Sequence, residues 1–265
     1  MPILKIVMIG DVVGDPGLEL LEKCLPRLIR EEQSDFIMVN GENSADGFGL
    51  TEGSLSRILK AGADMVSSGN HVWEKREFWP LLDSEKRVLR PANYSEGPGR
   101  GWLRLHKEIR GQEYAFLAVN LQGRELMNPI DCPFRCFDAI EKIQDESEKA
   151  LILVDFHAES SREKEAFAFY LDGRASVVAG THTHVQTADE KILPEGAAYI
   201  SDLGMCGVSG AVIGMDPKIC IDRARNQVLY RMEIASGGSG TMVQGICAEI
   251  DAETGKALSI RRISL

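Results

Sequence analysis

The sequence predicts an α/β fold of two packed sheets with helices outside them, in one domain covering residues 1–265. Three observations lead there. From residue 3 to about 90, apolar β-rich runs alternate with helical patterns, which argues for right-handed β-α-β units and parallel pairing. The middle and the C-terminal end turn to strands. Neither an internal repeat nor a low-complexity linker divides the chain. The most flexible stretch, Ser236-Gly237-Gly238-Ser239-Gly240, is short enough to read as a loop.

Taken in order, Ile3 to Ile9 reads as the first strand, too short for a membrane span and without a cleavage pattern. With no targeting segment, the cytoplasm is the expected location. The first helix starts at Asp15 as N-cap with Pro16 at its first position, ahead of Leu18, Leu21, Leu25 and Leu28 at helical spacing. Phe36 to Val39 and Met65 to Ser67 are the next strands; between them a helix begins near Thr51 and carries Leu55, Ile58 and Leu59. Trp102 to His106 and Tyr114 to Val119 flank Arg110-Gly111-Gln112 as a hairpin. A helical stretch from Phe134 to Ile143, a buried strand from Leu151 to Val154, a helix from Arg162 to Leu171 and a strand from Val177 to Ala179 follow. The remainder is β, with Ala198 to Ile200, Met242 to Ile250 and Leu258 to Ile263, interrupted by a helix from Met215 to Arg225.

A composition of 44% hydrophobic and 26% charged residues is that of an ordinary soluble globular chain. The formal net charge of −10 argues against stable nucleic-acid binding through phosphates, although bound metal ions can reverse the local sign for a small phosphate ester. The six cysteines are scattered, and Cys132 and Cys136, the closest pair, lack the partners of a zinc knuckle. Reduced thiols are the expected state.

The informative pattern is where strands end. Asp11 follows the first strand; Asn40-Gly41-Glu42-Asn43 follows the second; Gly69-Asn70-His71 follows the third; Asp155-Phe156-His157 follows Val154; and Gly180-Thr181-His182-Thr183-His184 follows Ala179. In open α/β sheets, ligands sit outside the carboxyl ends of strands. Singly, each residue has a plain structural reading as a strand terminator, a turn former or a core histidine. Those readings leave unexplained why four of the five histidines occupy strand ends; only His106, within the hairpin, does not.

Asp, Glu, Asn and His together form a mixed oxygen and nitrogen shell suited to Fe, Mn or Zn. Asp11, Glu42, Asn43, Asn70, His157, His182 and His184 are too many donors for one four-coordinate ion, whereas two ions sharing a carboxylate use them all. Such ions, about 3.5 to 4 Å apart, can bridge a water, lower its pKa and stabilise an in-line displacement at phosphorus. His71 is then left over, facing the same site, and its natural role is general acid.

This order of motifs resembles the calcineurin-like metallophosphoesterase superfamily. Gly10-Asp11-Val12-Val13-Gly14, Asn40-Gly41-Glu42-Asn43, Gly69-Asn70-His71-Val72-Trp73, Arg90-Pro91-Ala92-Asn93-Tyr94, Asp155-Phe156-His157-Ala158-Glu159 and the run from Gly180 to Asp189 resemble its bacterial YmdB-type branch. The chain departs from the wider superfamily at Val13, where a histidine is usual, and at Gly41-Glu42, where Gly-Asp is usual; the branch shares both departures.

The resemblance implies a four-layer α/β/β/α sandwich of two mixed sheets flanked by helices, with the metals at the loop edge. It implies that Asp11, Glu42, Asn43 and His184 take one ion and Glu42, Asn70, His157 and His182 the other, with Glu42 bridging and His71 donating a proton. It further implies phosphodiesterase activity on cyclic nucleotides, notably 2′,3′-cyclic mononucleotides, by attack of a metal-bridged hydroxide, with iron or manganese. The branch is also associated with RNA-processing enzymes and biofilm formation, so a metal-containing regulator acting through a protein partner is the alternative. Homo-oligomerisation stays open. Dinucleotide binding at Gly10 to Gly14 is disfavoured, because the glycine spacing misses the fingerprint and Asp11 would repel a pyrophosphate. The loops Asp46 to Leu50, Gln122 to Pro129 and Gly204 to Gly214 are expected on the substrate side, without a derivable nucleobase pocket.

Overall fold

The computed structural model describes residues 2–144, 149–236 and 240–265. The middle of the loop expected at Ser236 to Gly240 lies outside the described residues. In chain order the first strands are β1 (Ile3–Ile9), β2 (Asp11–Val12), β3 (Phe36–Asn40), β4 (Met65–Ser67), β5 (Trp102–Ile109), β6 (Gln112–Gln122) and β7 (Ala150–His157). They are followed by β8 (Val177–Thr181), β9 (Lys191–Ile192), β10 (Ala198–Ile200), β11 (Met205–Val208), β12 (Thr241–Asp251) and β13 (Ala257–Ser264). The α-helices are α1 (Gly14–Glu32), α2 (Glu52–Ala61), α3 (Trp79–Ser84), α4 (Pro133–Lys142), α5 (Ser161–Leu171) and α6 (Pro217–Asn226).

Two mixed sheets result. One has the order β2-β11-β12-β1-β3-β4 with β13 also on β12; the other has the order β5-β6-β7-β8-β10-β9. β1, β3 and β4 run parallel, as do β6, β7, β8 and β10. Strand alternation assigns side chains to layers. Leu4, Ile6 and Met8 of β1 meet Phe116, Leu153 and Ile200 of the opposite sheet, where Phe36 stacks on Phe116 at 4.5 Å. Val7, Ile9, Ile37 and Val39 face the other way, onto the leucines of α1 and onto Leu55 and Ile58 of α2. Leu117, Val119, Val154 and Phe156 face Phe137 of α4 and Phe167 of α5. Three apolar layers thus separate the four layers of an α/β/β/α sandwich.

Strands covered on both faces read as continuous apolar runs, which is why β1, β3, β7 and β8 are plain in the sequence. The α2 start is equally local: Thr51 and Ser54 form a reciprocal capping box. The hairpin turns on Arg110 and Gly111, both at positive φ, as a two-residue type I′ connection demands. The start of α1 differs from expectation. Val13, not Asp15, is the N-cap, because the Val13 carbonyl already accepts from Gly17 N at 3.1 Å. Pro16 falls within the first turn, where its missing N–H is not needed, and Asp15 pairs instead with Arg57 at 2.9 Å. The strand before His157 extends three residues beyond Val154, so His157 ends β7 rather than following it.

The parallel strands bring their C-terminal ends to one edge. There Asn40, the last residue of β3, donates to Asp155 Oδ2 in β7 at 3.0 Å and to Thr181 Oγ1 in β8 at 3.3 Å. These buried bonds tie the two sheets together beneath the site. Among the described residues, no helix is long and apolar enough to cross a membrane.

Candidate metal centre

At that shared edge the donor residues fall into two groups around one carboxylate. Glu42 is buried, and its backbone N–H donates to Asn40 Oδ1 at 3.1 Å, which turns the chain sharply after β3. Its Oε1 lies 3.0 Å from His157 Nε2 and 3.4 Å from Asn43 Nδ2, so it touches both groups. On one side, His157 Nε2 is also 3.0 Å from Asn70 Oδ1 and 3.0 Å from His182 Nδ1. On the other, Asn43 Nδ2 is 3.3 Å from Asp11 Oδ1 and 3.0 Å from His184 Nε2. Gly69 is needed for this closeness, since a Cβ there would lie 2.2 Å from His157 Nε2 and 2.5 Å from Glu42 Oε2.

The rings of His182 and His184, which follow β8, reach different groups, His182 beside His157 and His184 beside Asn43, and their backbone is held in the left-handed region, with φ 104 at His182 and φ 63 at His184. Two carboxylates hold it there. His182 N donates to Asp11 Oδ2 at 3.2 Å, and Thr183 donates from both N and Oγ1 to Asp202 Oδ2, at 3.1 and 2.8 Å. His184 Nδ1 donates to the Ile213 carbonyl at 2.9 Å, which leaves the Nε2 lone pair pointing into the cluster. His157 is oriented the same way: its Nδ1 lies 3.0 Å from Thr181 Oγ1, and that hydroxyl donates to Asp155 Oδ1 at 2.6 Å.

The cluster suits a cation. His157 Nε2 lies 3.0 Å from each of two acceptor oxygens, Glu42 Oε1 and Asn70 Oδ1, and 3.0 Å from His182 Nδ1, and one N–H cannot serve them all, whereas a cation can gather them. The ligand atoms of Glu42, His157 and His182 lie within 4.8 Å of one another, all oxygen and nitrogen. In the second group the Asn43 amide nitrogen sits where Asp11, Glu42 and His184 converge, and rotation of that amide offers its oxygen to the same point.

The titration behaviour carries the same demand for positive charge. Burial opposes a charge on His157, but neighbouring Glu42, with Asp11 and Asp155, raises its pKa to about 9. Burial likewise opposes ionisation of Glu42, yet His157 outweighs it and lowers that carboxyl to about 2. Burial pushes Asp11 up to about 6, and burial with the His157 charge pushes His182 down to about 3. At pH 7.5, therefore, the cluster holds a proton on His157 that a metal must displace. On metal uptake the cluster's own side chains are expected to give up about one proton per chain at pH 7.5, more below pH 6 as Asp11 joins, and none above about pH 10, in addition to the proton that a metal-held water loses across this range. Titrating metal into weakly buffered protein with a pH indicator reads this directly; release that does not vary with pH would contradict it.

His71 stands apart from both groups. Its backbone N–H donates to Glu42 Oε2 at 3.1 Å, its ring lies edge-on to Phe48 at 4.9 Å, and its side chain is 27% exposed. It lines a cavity of about 550 Å³ whose floor includes Glu42, Asn43, His182 and His184. Of the three loops expected on the substrate side, Asp46 to Leu50 contributes Phe48 and Gly204 to Gly214 contributes Ile213. Gln122 to Pro129 does not line it; Arg124, Glu125 and Met127 border a separate cavity with Phe134.

A family model described as YmdB-like protein matches residues 7–263. The chain belongs to the YmdB-like family. Among its relatives is the 2′,3′-cyclic-nucleotide 2′-phosphodiesterase of Bacillus subtilis (strain 168), 42% identical over 98% of this chain and 96% of that protein. The fold of this chain is similar over its length to those of two crystal structures among others. A novel phosphatase from Mycoplasma pneumoniae superposes with a TM-score of 0.91 at 31% identity, covering 100% of this chain and 94% of that one. A hypothetical protein from Thermus thermophilus gives 0.88 at 37% identity, with 99% of each chain covered.

Of the residues that hold the YmdB-like cluster in place, the strand ends show Asp155 in Asp155-Phe156-His157 without giving it a role, and leave out Asp202 and Lys164. Asp155 and His157 share one face of β7, and a carboxylate inside the apolar run Leu151 to His157 is a signal in hindsight. Asp202 lies two residues beyond β10 and obeys the same strand-end rule. Lys164, its buried partner at 2.8 Å, sits among Glu163 and Glu165 on α5 and carries no local signal.

Proposed function

We propose that the chain is a dinuclear metal-dependent phosphodiesterase acting on small phosphodiesters, cyclic nucleotides such as 2′,3′-cyclic mononucleotides foremost. The enzyme class, a phosphoric diester hydrolase, is supported by the relatives named as phosphodiesterase and phosphatase. The observation that carries the finer reading is the convergence of oxygen and nitrogen donors from both sheets on buried Glu42, at the floor of a cavity. In this reading Asp11, Glu42, Asn43 and His184 hold one ion, and Glu42, Asn70, His157 and His182 hold the other, with iron or manganese as the occupants. When bound, such a pair supplies an activated water and neutralises the charge that develops during in-line displacement at phosphorus.

The chain's own groups do the rest. Buried Asp11 and Glu42 keep their carboxylates out of bulk water, where their charge acts at full strength on whatever they hold. The hydrogen bonds of His157 to Thr181 and of His184 to Ile213 fix which ring nitrogen faces inward. His71, partly open to the cavity, delivers a proton to the departing alkoxide. In this reading residues 1–265 work as one domain in the cytoplasm.

Chelator-treated protein tests it. Activity on a chromogenic phosphodiester is expected to fall to background after metal removal and to return on adding manganese or ferrous iron, with about two ions bound per chain. Undiminished hydrolysis by metal-free protein would overturn the reading.

A further inference from the structure

The cavity has a second face that the metal reading does not use. Phe48, Ile213, Met215 and Met232 line it, joined by Cys220 and Arg223 of α6. Behind this lining lies an apolar cluster distinct from the three that separate the layers. It is built on Val13, Met205 and Met215, with Phe48, Met232, Ile234 and Met242 packed against it. Four of the chain's nine methionines are gathered here. Methionine is unbranched and polarisable, so a wall made of it adapts to flat groups of different outline and makes favourable sulfur–aromatic contacts. Phe48 is fixed within that wall. Its ring meets the edge of the His71 ring, and the preceding Gly47, at φ 86, leaves only 3.1 Å between a built Cβ and Met215 Cε.

We propose that this wall seats the nucleobase of the substrate, and that it accepts all four common bases with little discrimination. The inference rests on the phosphodiesterase reading above and adds the binding determinant to it. One cavity with an ionic floor and an apolar, sulfur-rich wall matches a molecule with a phosphodiester at one end and a flat aromatic ring at the other. Its volume, about 550 Å³, lies in the ordinary range for such ligands. Base discrimination requires polar groups placed to read the base edge. Among the described residues, the polar side chains on this face are Cys220 and Arg223, with Glu159 and Thr183 lying on the side of His182; the Arg223 guanidinium is held by its Nη1 bond to the Tyr230 carbonyl at 3.0 Å. Stacking is left as the source of affinity, and every base has a face to stack.

The test uses the metal-loaded enzyme with the 2′,3′-cyclic phosphates of adenosine, guanosine, cytidine and uridine, and the baseless ribose 2,3-cyclic phosphate. Expected are kcat/KM values within about 5-fold across the four nucleotides, purines leading, and a value at least about 10-fold lower for the baseless compound. Met232→Ala is expected to close most of that gap, and Met232→Leu, which keeps the volume, to restore it, with metal content unchanged in both. Equal kcat/KM for nucleotides and the baseless phosphate would overturn the nucleobase seat while leaving the phosphodiesterase reading intact. So would a gap that Met232→Ala leaves untouched, and a strong preference for a single base would overturn its tolerance. Failure to hydrolyse any of the five compounds would overturn both readings.

Discussion

His71→Ala is expected to retain its full complement of metal while losing about 10²- to 10⁴-fold in turnover of a phosphodiester. The expectation follows from where the residue stands. The His71 ring belongs to neither donor group, and its link to the cluster is the backbone N–H bond to Glu42, which alanine preserves. The ring itself borders the cavity beside Phe48, with Nδ1 3.4 Å from Glu74 Oε1. Asp11→Ala and His184→Ala are the informative comparisons, because each removes a donor from the Asn43 side of Glu42. Those two variants are expected to lose metal at one of the two sites. Equal metal loss in all three would make His71 a ligand and leave the leaving group without an assigned proton donor.

The same contrast shows what was legible in the chain. Asp11, Glu42, Asn43, Asn70, His157, His182 and His184 could be collected from the sequence because parallel strands place their C-terminal ends along one edge, and a buried parallel strand announces its end by leaving its apolar run. β2 and β11 could not, since two and four residues are too few to show a period, and β2 pairs with β11 across nearly two hundred positions. The methionine wall was hidden for a different reason. Met215 and Met232 lie far from Phe48 along the chain, and only the fold brings them beside it. Helix α6 was visible by its pattern, but it has no buried residue, so its pattern reports a cavity wall rather than a core face. The support of the His182 loop was hidden most completely, because it depends on an ion pair between α5 and the end of β10.

Breaking that pair is the second large effect expected. Lys164→Met should destabilise the metal-free protein by about 3–5 kcal/mol, as loss of one partner from a buried ion pair does. Lys164 and Asp202 have side chains only 2% and 1% exposed, with Nζ 2.8 Å from Oδ2. Without the ammonium, the Asp202 carboxylate is left charged in the interior and must either stay ionised at high cost or take up a proton. That carboxylate also accepts from Thr183 N, Thr183 Oγ1 and Gly204 N, at 3.1, 2.8 and 2.9 Å. Weakening those bonds frees His182 and His184 to relax from positive φ, conformations that cost on the order of 1–3 kcal/mol each to hold. Metal affinity is therefore expected to fall together with the urea midpoint, although Lys164 is nowhere among the donor residues. Adding Asp202→Asn to Lys164→Met removes the stranded charge while keeping one acceptor oxygen. The double variant should recover stability beyond the single one but not reach the parent, because one amide oxygen cannot replace a carboxylate with three donors to satisfy. A Lys164→Met protein that unfolds within about 1 kcal/mol of the parent, or that binds metal normally despite lost stability, would show that the His182 loop keeps its shape without the ion pair.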